Sequence, residues 1–154
     1  MAEITHNLKV LNLQGSNVEQ THVELTADTA INPQTHANRE LIVADATGNL
    51  TFTLDDPERA GIHYRFKYGG TAGNAQNVLI KTQTITNNFS GSIIHTSTDT
   101  DVSTAVRADA DTHDTLTITA PGNFDINCLS NGTATWHVWG STAGSGTDPA
   151  FSSS

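Results

Sequence analysis

Three scarcities narrow the reading of this chain. Cysteine occurs once, as Cys128, so no internal disulfide can form and the fold must rest on its core. Cys128 sits in an apolar stretch, where a packed thiol is favoured over a reactive one. Cations are few: seven lysines and arginines stand against sixteen acids, for a net charge of −9. An acidic surface repels phosphate backbones, which argues against nucleic acid as a partner. No apolar run approaches the roughly 20 residues that span a bilayer as a helix, and the basic and apolar regions of a secretory signal are missing. The expectation is a chain without membrane insertion or export. Lysine and glutamate, good helix formers for exposed positions, are also sparse.

What is present points to strands. Threonine is abundant, and Gly, Asn, Asp and Ser recur between short apolar runs, which reads as many short strands joined by turns. At 154 residues the chain suits one domain with loose ends. Residues 1–21 read as an N-terminal arm with a possible first strand at 8–13. Residues 22–140 read as the β domain. The Gly- and Ser-rich stretch 141–154 reads as a flexible tail with Phe151 as its one anchor. The fold class expected is all-β, an antiparallel β-sandwich or jelly roll.

Period-two alternation places the core. Leu50, Phe52 and Leu54 share one face, and Asp55-Asp56-Pro57 stops that run. Ile62, Tyr64, Phe66 and Tyr68 share another, opposite His63, Arg65 and Lys67. A strand is expected at 78–82, a shorter one at 91–95 and one near 102–106. Leu116 and Ile118 point inward. Phe124, Ile126 and Cys128 then share a face, Asn131-Gly132 breaks the chain, and 133–139 runs back. Asn-Gly between alternating runs predicts a hairpin with a type I′ turn, which needs positive φ at both central residues. Trp136 and Val138 fall on one face of the return strand, His137 and Trp139 on the other.

Candidate chemistry is thin. The acidic stretch with Asp99, Asp101, Asp109, Asp111, His113 and Asp114 is the best place for a metal, and its carboxylates suit calcium. It lacks the glycine and distal glutamate of an EF-hand, so a solvated loop is favoured and Asp109, Asp111 and Asp114 stay weak candidates. The seven histidines show neither HExxH nor zinc-type spacing. No GxSxG elbow or phosphate-binding glycine loop is found. Asp55 and Asp56 invite comparison with a glycosidase pair, but adjacent strand residues face opposite ways, and a turn before Pro57 explains them better. No catalytic residue and no cofactor is expected. Arg65 and Lys67, at i and i+2, share a face open to nearby acids, to solvent or to a partner chain. With Trp139 and Phe151 they are the candidate contacts to a second subunit or a larger assembly.

The order of elements carries a resemblance. It runs Leu50-Thr51-Phe52-Thr53-Leu54 with Pro57, then Ala60-Gly61-Ile62-His63-Tyr64-Arg65-Phe66-Lys67-Tyr68, then Asn77-Val78-Leu79-Ile80. Thr115-Leu116-Thr117-Ile118-Thr119-Ala120-Pro121-Gly122 follows, and Ser130-Asn131-Gly132-Thr133-Ala134-Thr135-Trp136-His137-Val138 closes it. This resembles small β-rich structural segments of tailed bacteriophages. Those share an alternating strand near a proline, a glycine leading into an aromatic strand, and a closing S-[DN]-G-T-x-W-x-V hairpin. Here one extra residue precedes Trp136, which suggests a bulge in the return strand. The resemblance covers roughly residues 39–140. It implies a virion structural protein, with a head decoration (cement) protein as the leading form. Such proteins are commonly homotrimers bound to the major capsid protein on the capsid surface. A tail-fibre, spike or baseplate module shares the hairpin. From the residues alone, a carbohydrate-binding module using Trp136 or Trp139 as a platform is the rival from another class.

Overall fold

The computed structural model describes residues 22–71, 75–145 and 147–154. The arm expected at 1–21 lies outside the described residues. Among the described residues, twelve strands form two sheets, with one short helix between strands. The strands are β1 (Val23–Leu25), β2 (Thr29–Ile31), β3 (Glu40–Val43), β4 (Leu50–Leu54), β5 (Ala60–Tyr68), β6 (Val78–Thr82), β7 (Asn88–Ser97), β8 (Ser103–Asp109), β9 (Thr115–Ile118), β10 (Asn123–Asn131), β11 (Thr135–Gly144) and β12 (Ala150–Ser152). The larger sheet runs β1-β3-β5-β10-β11-β7-β8 and the smaller β12-β9-β6-β4-β2. The all-β expectation holds, and the two sheets pack as a sandwich.

Alternation drives the packing. In β4 and β6 every second residue is buried, and Phe52 of the smaller sheet stacks on Phe66 of the larger with centroids 5.7 Å apart. Leu41, Tyr64, Phe66, Ile126, Cys128 and Trp136 are fully enclosed on the inner face of the larger sheet. Trp136 lies against Tyr64 at 5.3 Å. Burial pushes the Cys128 thiol well above its ordinary value, so it is a packing group.

The pairing is not purely antiparallel. The first six strands alternate between sheets, so β1, β3 and β5 lie side by side in parallel in one, and β2, β4 and β6 do so in the other. β7 and β11 are parallel as well. The antiparallel pairs cluster in the second half, where β9, β10, β11, β8 and β12 close the sheets. Turn chemistry predicts hairpins, but a strand that crosses to the other sheet ends in the same kind of turn. Helix α1 (Pro33–His36) makes one such crossing: the Asn32 side chain caps it through Thr35 N, and Pro33 occupies its first turn.

The described residues of the 141–154 stretch include two paired strands, which corrects the expectation of a flexible tail. β11 continues through Gly144, and β12 pairs with β9, with Phe151 opposite Leu116. Phe151 is 8% exposed and packs on Phe89 and His113. Small residues in this stretch mark tight packing, with buried Thr142 bonded to buried His95 at 2.8 Å.

The β10–β11 hairpin is present, but its turn is not type I′. Gly132 has φ +86°, whereas Asn131 is not among the positive-φ residues. The turn is held by the Asn131 side chain, whose Oδ1 accepts from Thr133 N (2.9 Å), Thr133 Oγ1 (3.1 Å) and Thr135 N (3.0 Å). Gly132 also passes close to the start of β5, where a Cβ would lie 2.6 Å from Ala60 N. The β10–β11 register is unbroken from Asn123–Ala143 to Ser130–Trp136. The extra residue is taken up in the connection, and the irregularity falls on the other side of β10, against β5 at Leu129–Asn131.

Candidate functional site

Strand parity sends three sets of side chains away from the core of the larger sheet. From β5 these are His63, Arg65 and Lys67; from β10 Asp125, Asn127 and Leu129; from β11 His137, Trp139 and Ser141. Cross-strand pairs share a face, so register places them in rows. One row reads Arg65, Asn127, Trp139 and Ser92; the next reads His63, Leu129, His137 and Ser90.

Arg65 grips Asp125 through two bonds, Nε at 2.9 Å and Nη2 at 2.5 Å, and reaches Glu40 of β3 at 3.2 Å. Lys67 Nζ meets the same Glu40 oxygen at 3.1 Å. The Arg65 hydrogen bond holds the Asp125 carboxyl below its ordinary value, and Asp125 in turn raises Arg65. Both cations are thus neutralised by their own sheet.

Trp139 stands beside this network and is 44% exposed. Its ring lies parallel to His63, with centroids 5.8 Å apart and planes within 4°. His63 Nε2 and Asn127 Oδ1 are 3.0 Å apart. The exposed indole is therefore fixed by a neighbour that is itself tethered.

The structure brings Arg65, Lys67 and Trp139 onto one face and removes Phe151 from it. As a contact residue Phe151 is corrected: its ring fills the space between the sheets. His63, already placed on this face by its parity, is joined by Asn127, Asp125 and Glu40, which were not singled out from sequence. Their outward parity was readable, but the adjacency of β5 and β10, sixty residues apart in the Arg65–Asp125 bond, was not.

The acidic loop is structural. Asp109 caps its own turn, accepting from Asp111 N, Thr112 N, His113 N and, at 2.6 Å, Thr112 Oγ1. These bonds hold its carboxyl well below the ordinary range. Asp114 is buried, which pushes its carboxyl up, but bonds from Ser154 and Thr115 outweigh that and hold it low. Among the described residues no group of three or more His, Cys, Asp or Glu converges to hold a metal ion. Asp109, Asp111 and Asp114 therefore do not form a joint site.

Asp55 and Asp56 are also committed to the fold. Buried Tyr64 donates to Asp55 at 2.7 Å, and Asn87 Nδ2 donates to Asp56 at 2.6 Å. Burial raises the Asp55 carboxyl. No helix among the described residues is long and apolar enough to cross a membrane.

Comparison with protein-family models, with curated proteins and with solved structures finds no match for this chain.

Proposed function

We propose that this chain is a virion structural protein, a trimeric head decoration protein of a tailed bacteriophage that binds the major capsid protein and stabilises the capsid surface. The observation that carries the reading is where the phage-like residues fall. They form β4, β5, β6 and β9, with the β10–β11 hairpin in the middle of the larger sheet. That the residues carrying the resemblance lie in paired strands supports the reading.

Other features suit the role. The two sheets enclose a continuous aromatic and aliphatic core without any disulfide. A particle protein must keep its shape at an exposed surface, and many copies bind by summed weak contacts. The net charge of −9 keeps free copies apart from nucleic acid.

Sedimentation of the purified chain, followed by cosedimentation with expanded capsids that lack it, tests the proposal. A trimer that binds those capsids is the expected result. A monomer without capsid affinity overturns it.

A further inference from the structure

We propose that the outer face of the larger sheet around Trp139 is a binding site for a neutral saccharide, with a pyranose ring lying on the indole. This goes beyond the particle role and does not depend on it.

Three observations converge. Trp139 is 44% exposed, whereas Trp136 and all five phenylalanines are buried. Among the described phenylalanines and tryptophans, Trp139 alone keeps much of its ring in water. Second, the ring is set in place before anything binds: His63 lies parallel to it, and Asn127 holds His63 at 3.0 Å. A pre-ordered ring loses little freedom on binding. Third, the surroundings suit hydroxyl groups. The direct cross-strand neighbours of Trp139 are Asn127 and Ser92, and the next row offers exposed His137 beside Ser90.

Those features select the ligand class. The C–H face of a pyranose carries partial positive charge and sits well on the negative face of an aromatic ring. Its equatorial hydroxyls then meet amide, imidazole and serine groups at the rim. Arg65 and Lys67 are paired with Asp125 and Glu40, and Arg107, opposite Ser92, is the exposed cation of this row; the net charge of −9 nonetheless disfavours an acidic sugar. A base-stacking reading conflicts with the acidic chain. A protein interface gathers a contiguous apolar core. Here the apolar neighbours are only diagonal ones, half-buried Leu129 across β10 and exposed Ile94 across β7, while the direct cross-strand neighbours Asn127 and Ser92 are polar.

The test is an array of neutral and acidic glycans, with hits titrated by tryptophan fluorescence. Trp136 is buried, so a ligand-induced shift reports on Trp139. Expected is binding of a neutral glycan with a blue shift, at least tenfold weaker in Trp139→Ala and intermediate in Trp139→Phe. His63→Ala should weaken binding several-fold by freeing the ring. Should Trp139→Ala fail to fold, Trp139→Phe and the wild-type shift carry the test. No glycan binding by the folded protein, or binding unchanged by Trp139→Ala, overturns the proposal. So does an outcome in which Trp139→Ala abolishes self-association or capsid binding while no glycan is bound, because the face is then a protein interface. Capsid binding without glycan binding leaves the decoration reading standing, so the two proposals fail separately.

Discussion

Replacing Phe151 by alanine measures how much the last strand contributes to the fold. The ring is 8% exposed and sits between Phe89, at 5.9 Å, and His113, at 6.3 Å. Truncation of a buried Phe typically costs about 3–5 kcal/mol, from lost transfer energy plus the cavity left behind. β12 is a three-residue edge strand that can settle partly into the gap, so the lower end applies, about 3 kcal/mol. That corresponds to a more than hundredfold shift in the folding equilibrium. For a chain of this size it lowers Tm by roughly 6–12 °C. Urea unfolding followed by far-UV circular dichroism and tryptophan fluorescence should show a lower midpoint with an unchanged slope. Phe151→Leu, which keeps most of the volume, should cost less than about 1.5 kcal/mol. A Phe151→Ala protein within about 0.5 kcal/mol of wild type, the range of ordinary surface changes, would refute the reasoning. Residues 150–152 would then not be docked.

Three further outcomes follow from named contacts. Asn131→Ala removes three hydrogen bonds that shape the hairpin turn and should cost roughly 1–2 kcal/mol in urea unfolding; no change would mean that Gly132 alone sets the turn. Asp125 has its carboxyl held low by Arg65, so its contribution is present above the ordinary carboxylate value and is lost as pH falls through the lower, folded value. Asp125→Asn should flatten that acid limb of the stability curve by under about 1 kcal/mol, because the Arg65 side chain is 38% exposed and solvent screens the pair. An acid limb identical to wild type would show that the pair is silent. The Cys128 thiol is buried and shifted up, so a thiol reagent should label it only under unfolding conditions. Rapid labelling of the native protein would contradict the packing described for β10.

Local pattern carried the central strands well. The alternation in Leu-Thr-Phe-Thr-Leu and the run Val-Leu-Ile-Lys-Thr mark β4 and β6 to the residue, because one buried face imposes period two. The outward placement of Arg65, Lys67 and Trp139 follows from the same parity. Partner choice was not legible. Nothing local tells β5 to lie between β3 and β10, since that depends on which edges remain open after the chain has crossed between sheets. Composition misled at the C-terminal end. Gly, Ser and Thr in 141–144 look like a linker, yet these small residues let β11 extend between β10 and β7. In the acidic loop, carboxylates that resemble ligands serve as acceptors for backbone N–H groups of the turn.

The shuttling of β1 to β6 between the sheets has a consequence for how such a molecule varies. Each outward and return pair is one coil, and each new coil lies on the previous one in parallel. A coil added beyond β1 and β2, which end their sheets, would lengthen both sheets by one strand while leaving the hairpin half and its face intact. The same architecture therefore permits longer or shorter versions that keep one terminal unit unchanged. Growth occurs at one end, like courses added to a wall whose corner is already laid.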